Sequence, residues 1–175
     1  MRAKINKYSA IAATLLTTMH ARGHSSAPTQ LSPAATRSVT ATPARKAAAD
    51  NPGVLDERRR YALSMIETGG DDLEIGRAGE VSRYQIMPSV WRHYSDSRSY
   101  HDPETSLEVA QQHWSVLYDS FKQQARRKPT DFDMYVLWNT HYGYYAKHGF
   151  DPARLNAVVS ERAQRFVNLI QRGLA

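Results

Sequence analysis

The chain has 175 residues, of which 41% are hydrophobic and 23% charged, and it contains no cysteine. This composition is typical of a globular protein, and the lack of cysteine excludes thiol catalysis, cysteine-ligated metals and disulfides. The formal charge of +6 lies in the N-terminal region: residues 1–53 hold seven basic residues and one acid, and residues 54–175 hold 16 of each. No nucleic-acid partner is expected, because such binding needs a clustered basic surface.

The first 53 residues predict an exported protein with a linker. Arg2, Lys4 and Lys7 precede an apolar run to Met19, which is too short to span a bilayer but typical of a secretory signal, predicted over residues 1–21. A retained anchor, or no signal at all, is the alternative. Residues 22–53 are rich in Ala, Ser, Thr and Pro and predict a disordered linker, either a tether or a tolerated tail. We therefore expect a periplasmic or cell-envelope protein that is not stably inserted in a membrane after cleavage.

Residues 54–175 predict a series of helices. Asp56 is placed to cap a first helix that ends at Glu67 before Gly69 and Gly70, with Arg58, Ala62, Met65 and Ile66 on one side. Pro88 is placed to begin a short helix. Asp102-Pro103 is a cap followed by proline, and the apolar residues after it recur at three and four residues as far as Phe121.

Two more helices follow in the sequence pattern. Thr130 and Asp133 resemble a capping box for a helix that ends near Asn139. Asp151-Pro152 repeats the cap-plus-proline pattern for a last helix, with a break near Ser160 left open. The pattern predicts a single compact all-α domain over residues 54–175, with a lysozyme-like α+β variant through a short hairpin near residues 72–86.

Glu67 is the residue that the pattern favours for chemistry. A carboxylate at a helix C-terminus faces the negative end of the helix dipole, and the apolar neighbours Leu63, Met65 and Ile66 suggest an apolar setting, so both features favour the protonated form. Glycosidases use such a carboxylic acid as the proton donor to the leaving oxygen. Taken alone, a Glu before two glycines is more often a solvated helix end.

Four motifs in order change that interpretation. They are the run Ile66–Gly70, the run Gly79–Pro88 that ends in Gln-Ile-Met-Pro, the Asp102-Pro103-Glu104 helix start, and Leu137-Trp138-Asn139. Their order and spacing resemble the lytic transglycosylase domain of the lysozyme-like superfamily, over most of residues 55–172. In that family a helix ends in Glu-Ser, a loop leads to Gly-Leu-Met-Gln and Met-Pro, and a later helix ends in Tyr-Asn-Ala-Gly.

The resemblance implies roles for individual residues. Glu67 takes the place of the catalytic acid, Gln85 and Met87 of groove residues that contact sugar, and Asn139 of the Asn in the Tyr-Asn pair. The implied substrate-binding set is Thr68, Glu80, Ser82, Gln85, Met87, Trp138, Asn139 and Tyr142.

Several of these positions depart from the family pattern. Thr68 replaces Ser, Ser82 replaces Gly, and Trp138 replaces a Tyr whose hydroxyl hydrogen-bonds close to the acid. Tyr135, Tyr142, Tyr144 and Tyr145 crowd the same stretch and offer hydroxyl groups, although packing in the core is the simpler interpretation of Tyr135.

The activity implied by the resemblance is cleavage of the β-1,4 bond between N-acetylmuramic acid and N-acetylglucosamine in peptidoglycan, with formation of 1,6-anhydromuramic acid. A lysozyme-type hydrolase is the nearest alternative, because a carboxylate of the following loop, Glu80, Asp71, Asp72 or Glu74, could act as a partner. Glu80 could equally be a solvated charge or a partner of Arg77 or Arg83. A peptidoglycan-binding module without turnover is a further alternative.

No cofactor or metal is expected. The seven histidines show no pair at a metal-ligand spacing on one helix, so His93, His101, His113, His141 and His148 are interpreted as surface or capping residues. The expected partner is the glycan strand of peptidoglycan, and the chain is expected to be a monomer.

Overall fold

Helices make up most of the structure, a computed structural model that describes residues 51–172. Within that range the chain forms α1 (Glu57–Glu67), α2 (Pro88–Trp91), α3 (Pro103–Ala125), α4 (Asp131–Asn139), α5 (Tyr142–Lys147), a 3₁₀ helix (Pro152–Arg154) and α6 (Ala157–Arg172). The prediction of a mainly helical domain is confirmed. None of the helices among these residues has both the length and the apolar character needed to cross a bilayer. The predicted signal and residues 22–50 of the predicted linker lie outside the described residues.

Three of the predicted helix starts are confirmed by their caps. The side chains of Asp56 and Asp102 each accept a hydrogen bond from the backbone N–H three residues later. Thr130 and Asp133 form a complete capping box, in which each side chain accepts a hydrogen bond from the backbone of the other residue. These contacts satisfy N–H groups that the first turn of a helix leaves without a partner.

The C-terminal part differs from the prediction in two ways. The helix α5 was not predicted, and it is capped by the imidazole of His141, which accepts from the N–H of Tyr144 at 2.9 Å. Asp151-Pro152 begins only the 3₁₀ helix, and α6 follows Asn156, whose side-chain oxygen accepts from the N–H of Val159 at 2.9 Å. The helix α6 then runs without a break at Ser160.

The helix α4 lies at the centre of the fold. It packs against α3, α5 and α6, and α6 also packs against α1. Five consecutive residues of α4, Met134–Trp138, are buried, as expected for a helix that other elements surround on all sides. This arrangement brings the C-terminal end of α1 and the middle of α6 to the same face of α4.

The buried side of α1 only partly matches the side described from the sequence. The structure buries Arg59, Ala62, Leu63 and Ser64, whereas Arg58 and Met65 are exposed. Arg59 binds the carboxylates of Asp56 at 2.8 Å and Asp131 at 2.6 Å, so it joins α1 to the start of α4. These ion pairs explain how a charged residue can be buried on the core side of α1.

The predicted hairpin near residues 72–86 is wrong. Among the described residues there is no strand, and this segment contains one isolated bridge between Val81 and Ile86. The turn inside the bridge holds Ser82 at φ 64° and Gln85 at φ 51°, a left-handed conformation that is costly for residues other than glycine. The segment is a folded loop fixed by local turns.

Residues 52 and 53, which the sequence analysis assigned to the linker, are attached to α3. The indole N–H of Trp114 donates to the carbonyl of Pro52 at 2.8 Å. A Cβ added at Gly53 would lie 3.0 Å from the ring of Tyr118, so the backbone there touches the helix closely. The packed part of the chain thus includes these two residues.

Candidate functional site

Glu67 is the last residue of α1. Gly69 and Gly70, both with positive φ, end the helix there, and the hydroxyl of Thr68 donates to the carbonyls of Ser64 and Arg83. The helix end is thereby fixed to the loop that follows. The side chain of Glu67 is only 8% exposed, so the interpretation of Glu67 as a solvated residue at a helix end is wrong.

Two side chains from distant helices hold the Glu67 carboxylate. Tyr135 of α4 donates its hydroxyl to Oε1 at 2.7 Å, and Nη2 of Arg162, from α6, lies 3.4 Å from Oε2. Nε of Arg162 also donates to the Tyr135 hydroxyl oxygen at 3.2 Å. The apolar setting predicted for Glu67 is wrong, because the carboxylate is held by polar groups, and Met65 points partly into solvent.

The electrostatics of these partners agree with their geometry. Burial raises the pKa of Tyr135, and the charge of Glu67 raises it further, so this hydroxyl remains a hydrogen-bond donor. Burial lowers the pKa of Arg162, but Tyr135 and Glu67 outweigh that effect, and the pKa is raised overall. The guanidinium therefore stays charged beside Glu67.

Glu67 lines a polar cleft of about 320 Å³. The other residues lining it are Glu74, Gly76, Arg77, Glu80, Gln85, Trp138, Asn139 and Arg162. Carboxylates, guanidinium groups, amides and one large aromatic ring thus surround a space of the size used for small ligands and short oligomers. Such a lining suits a hydroxyl-rich ligand, because its polar groups can hydrogen-bond the hydroxyls.

Glu80 brings a second carboxylate to the cleft. It is 7% exposed, and its Oε2 accepts from the N–H of Ala78 at 2.9 Å. The interpretation as a solvated loop charge is therefore wrong, and Arg83 forms an ion pair with Asp72. A Cβ added at Gly76 would lie 2.3 Å from Glu80 Oε2 and 2.2 Å from Gln85 Oε1, so only glycine leaves room for these two side chains.

Gln85, Trp138 and Asn139, which the resemblance implies as binding residues, line the same cleft as Glu67. The left-handed backbone of Gln85 is strained, and such strain is concentrated at functional sites. Trp138 donates its indole N–H to the carbonyl of Tyr84 at 3.1 Å, which ties the end of α4 to the Val81–Ile86 turn. The three side chains line the cleft together with Glu67 and Glu80.

Four predicted binding residues do not line this cleft: Thr68, Ser82, Met87 and Tyr142. Ser82 is fully buried, and its hydroxyl oxygen accepts from the N–H of Tyr84. Met87 precedes α2 and packs against the core. Tyr142 donates its hydroxyl to the carbonyl of Ser120 at 3.0 Å and packs on Phe150, which fixes α5 to α3.

Sequence reasoning missed Gly76 and Arg162. It named Glu74 only as one of several loop carboxylates that could act as a partner of Glu67 and Arg77 only as a partner of Glu80, and it treated Tyr135 mainly as a core residue. Tyr135 is both, since its ring is fully buried against Phe166 with 5.1 Å between ring centres. A signal for it was present: residues three apart share a helix face, so Tyr135 lies one turn before Trp138. Arg162 had no comparable local signal, because it lies 95 residues from Glu67.

His113 corrects the interpretation of the histidines. It is 7% exposed, its Nδ1 lies 3.0 Å from the hydroxyl of Tyr94, and its ring packs against Trp138. Burial, and to a lesser extent the charge of His93, lowers the pKa of His113 to about 4. Within the described residues no group of three His, Cys, Asp or Glu side chains is arranged to hold a metal ion.

Comparison of the chain with protein-family models, with characterised proteins and with solved structures finds no match. The link to lytic transglycosylases therefore rests on the four motifs and on the site that they form.

Proposed function

We propose that this domain is a peptidoglycan lytic transglycosylase with Glu67 as its catalytic acid and base. The observation that carries the proposal is the position of Glu67: a largely buried carboxylate, hydrogen-bonded by Tyr135, that lines a polar cleft with Gln85 and Asn139. The substrate is the β-1,4 bond between N-acetylmuramic acid and N-acetylglucosamine. This function agrees with the motif order and with a cleft lined by groups that bind sugars.

The reaction needs one carboxyl group in two protonation states. Protonated Glu67 donates its proton to the glycosidic oxygen, the bond from C1 to that oxygen breaks, and positive charge develops at C1. The C6 hydroxyl of the muramic acid residue then bonds to C1, and its proton passes to the Glu67 carboxylate. The products are a free 4-hydroxyl end and a 1,6-anhydro end, Glu67 is protonated again, and no water is consumed.

The neighbouring side chains have supporting parts in this reaction. Tyr135 fixes the carboxyl group through Oε1, and its ring cannot turn away because it is packed on Phe166. Gln85 and Asn139 offer amide groups to the hydroxyl and N-acetyl groups of the glycan, and Trp138, which is largely buried, closes the wall of the cleft behind them. Tyr135 supplies a hydroxyl close to the acid, which is the group that Trp138 lacks.

A hydrolase of the lysozyme type is the second candidate, and Glu80 is the observation that favours it. Its buried carboxylate lines the same cleft as Glu67, so it could activate a water molecule or stabilise the positive charge at C1. Hydrolysis would leave a reducing end in place of the anhydro end.

Digestion of purified sacculi, with product ends identified by mass spectrometry, tests the proposal. We expect 1,6-anhydromuramic ends, loss of digestion in Glu67→Gln with unchanged helicity, and little effect of Glu80→Gln. Glu74→Gln is the matched control, because Glu74 lines the same cleft but is exposed. Digestion by Glu67→Gln at the parental rate would remove Glu67 from the reaction.

The two alternatives give different results in the same experiment. Reducing ends, together with a loss of roughly 10²- to 10⁴-fold in Glu80→Gln, would identify a hydrolase with Glu80 as its second carboxylate. Binding to sacculi without any digestion would identify a binding module.

The proposed function also needs export to the cell envelope, as a monomer acting on glycan strands. A fusion of residues 1–53 to a reporter that is active only outside the cytoplasm tests this in a bacterial host. We expect reporter activity, and an inactive, unprocessed fusion would contradict export.

A further inference from the structure

Arg162 lines the cleft but belongs to none of the four motifs. It lies on α6, its side chain is 36% exposed, and the guanidinium faces the cleft. One guanidinium contacts both members of the Tyr135–Glu67 hydrogen bond, at 3.2 Å and 3.4 Å. Packing of α6 against α1 and α4 places it there.

The charges around Glu67 act in opposite directions. Arg162 from α6 and the Tyr135 hydroxyl from α4 stabilise the ionised carboxylate, as does Arg77 on the cleft loop. Glu74 and Glu80 on the same loop, burial, and the C-terminal end of α1 favour the protonated form. The contact with the guanidinium acts directly on the carboxylate form, since an opposite charge within about 4 to 6 Å moves a carboxyl titration down by about 1 to 3 pH units.

We propose that Arg162 is a positioning residue that stabilises the carboxylate form of Glu67 and so sets the pH below which Glu67 acts as an acid. This inference rests on the proposed function for its effect on activity. Two consequences follow from this role of Arg162. Glu67 of the free enzyme is protonated over a narrower pH range, and Arg162 stabilises the negative charge that develops on Glu67 as its proton leaves.

The pH profile of kcat/KM on a soluble glycan fragment tests the inference in the full chain. Activity of the wild type falls on the alkaline side as Glu67 loses its proton. We expect the midpoint of that fall to move to higher pH by about 1 unit in Arg162→Gln, because the favourable charge is lost from a partly exposed position. Arg162→Lys keeps the charge, so its midpoint should stay within a few tenths of a unit of the wild type.

Arg165→Gln is the matched control, because Arg165 lies on the same helix and is exposed. It should leave the midpoint unchanged, which separates the effect of Arg162 from a general change in protein charge. An unchanged midpoint in Arg162→Gln would overturn the inference. So would a shift of equal size in Arg165→Gln.

A second measurement does not depend on activity. NMR titration of the side-chain carboxyl carbons, with Glu67 assigned by comparison with Glu67→Gln, should show the same upward shift of about 1 pH unit in Arg162→Gln. If sacculi are not digested but this shift is present, the proposed function fails and the control of Glu67 by Arg162 stands. If digestion occurs and the Glu67 titration is the same in both proteins, the inference fails and the function stands.

Discussion

Two carboxylates, one on α4 and one packed against it, have the same kinds of partner, an arginine and a tyrosine, in different surroundings. Near the start of α4 Asp133 binds Arg127 and Tyr145, and beside the middle of α4 Glu67 binds Arg162 and Tyr135. Asp133 is 1% exposed and accepts from both guanidinium nitrogens of Arg127, at 2.7 Å and 2.9 Å. Glu67 Oε2 lies 3.4 Å from Nη2 of Arg162, and Glu67 lines a cleft. Residue type therefore does not separate the structural pair of Asp133 and Arg127 from the candidate catalytic pair of Glu67 and Arg162. The difference is that Glu67 borders a space large enough for a ligand.

The largest expected effect comes from removing the structural ion pair. Asp133→Ala should lower the free energy of unfolding by about 3 to 5 kcal/mol, since it leaves Arg127, Tyr145 and the start of α4 without their acceptor. Urea denaturation measures the change. Asp151→Ala is the control, because Asp151 is paired with Arg154 on the surface, and its cost should stay below about 1 kcal/mol. Equal costs in the two variants would show that the pair of Asp133 and Arg127 stabilises the fold no more than a surface ion pair does.

His113, which lies beside the cleft, and Asp133, near the start of α4, should affect stability over different pH ranges. The pKa of His113, beside the cleft, is lowered to about 4, so the folded state holds it neutral while the unfolded chain takes up a proton near pH 6.5. Stability is therefore full above about pH 6.5 and falls by about 3 kcal/mol as the pH drops to about 4. Burial would raise the pKa of Asp133, but its hydrogen bonds from Arg127, Thr130 and Tyr145 lower it, so its contribution is lost only at still lower pH.

Urea denaturation at a series of pH values checks this assignment. His113→Asn should lose most of the slope of unfolding free energy between pH 6.5 and 4, whatever its overall stability. A wild-type slope retained in that variant would show that another group titrates in this range.

Tyr135 and Tyr145 allow a direct test of whether Glu67 and Asp133 have different roles. Tyr145→Phe and Tyr135→Phe each remove a hydroxyl that donates to a carboxylate, and each should cost about 1 to 2 kcal/mol of stability. Only Tyr135→Phe should also lower sacculus digestion, by up to about 100-fold, because the acid is then held less firmly. Thermal unfolding and digestion rates of the two variants measure both quantities. An equal loss of digestion in both would contradict separate roles.

The smallest expected change in stability is at Gly76. A Cβ in Gly76→Ala would displace the carboxylate of Glu80 from the N–H of Ala78 and shift the amide of Gln85, so the unfolding free energy should fall by about 1 kcal/mol. Digestion should fall measurably, because two cleft side chains move. Gly143→Ala on α5 is the control and should leave digestion unchanged. Full activity in Gly76→Ala would indicate that the arrangement of Glu80 and Gln85 is not used.

The parts of the fold that the sequence predicts are those set by local contacts. The caps at Asp56, Asp102 and Thr130 act within one turn, and they locate their helices correctly. Histidine is not among the common capping residues, so the start of α5 at His141 had no ordinary signal. The Asp151-Pro152 pair gave a local signal, but it begins only a 3₁₀ turn.

The candidate site divides in the same way. The motifs locate Glu67, Gln85 and Asn139, which line one cleft. They could not predict Arg162 or the ionic surroundings of Glu67, because these arise from the packing of α6 on α1 and α4. A pattern read along the chain contains no information on which distant helices meet.

The hydrogen bond from Tyr135 to Glu67 has a consequence for how a site of this kind can be recognised in a sequence. Because residues three apart lie on the same side of a helix, positions 135 and 138 of α4 face in similar directions, and the hydroxyl at position 135 reaches the end of α1. Position 138 holds a tryptophan that donates to the Tyr84 carbonyl. A search pattern for a helix-end carboxylate held by a tyrosine should therefore allow the tyrosine at either of two positions one helical turn apart.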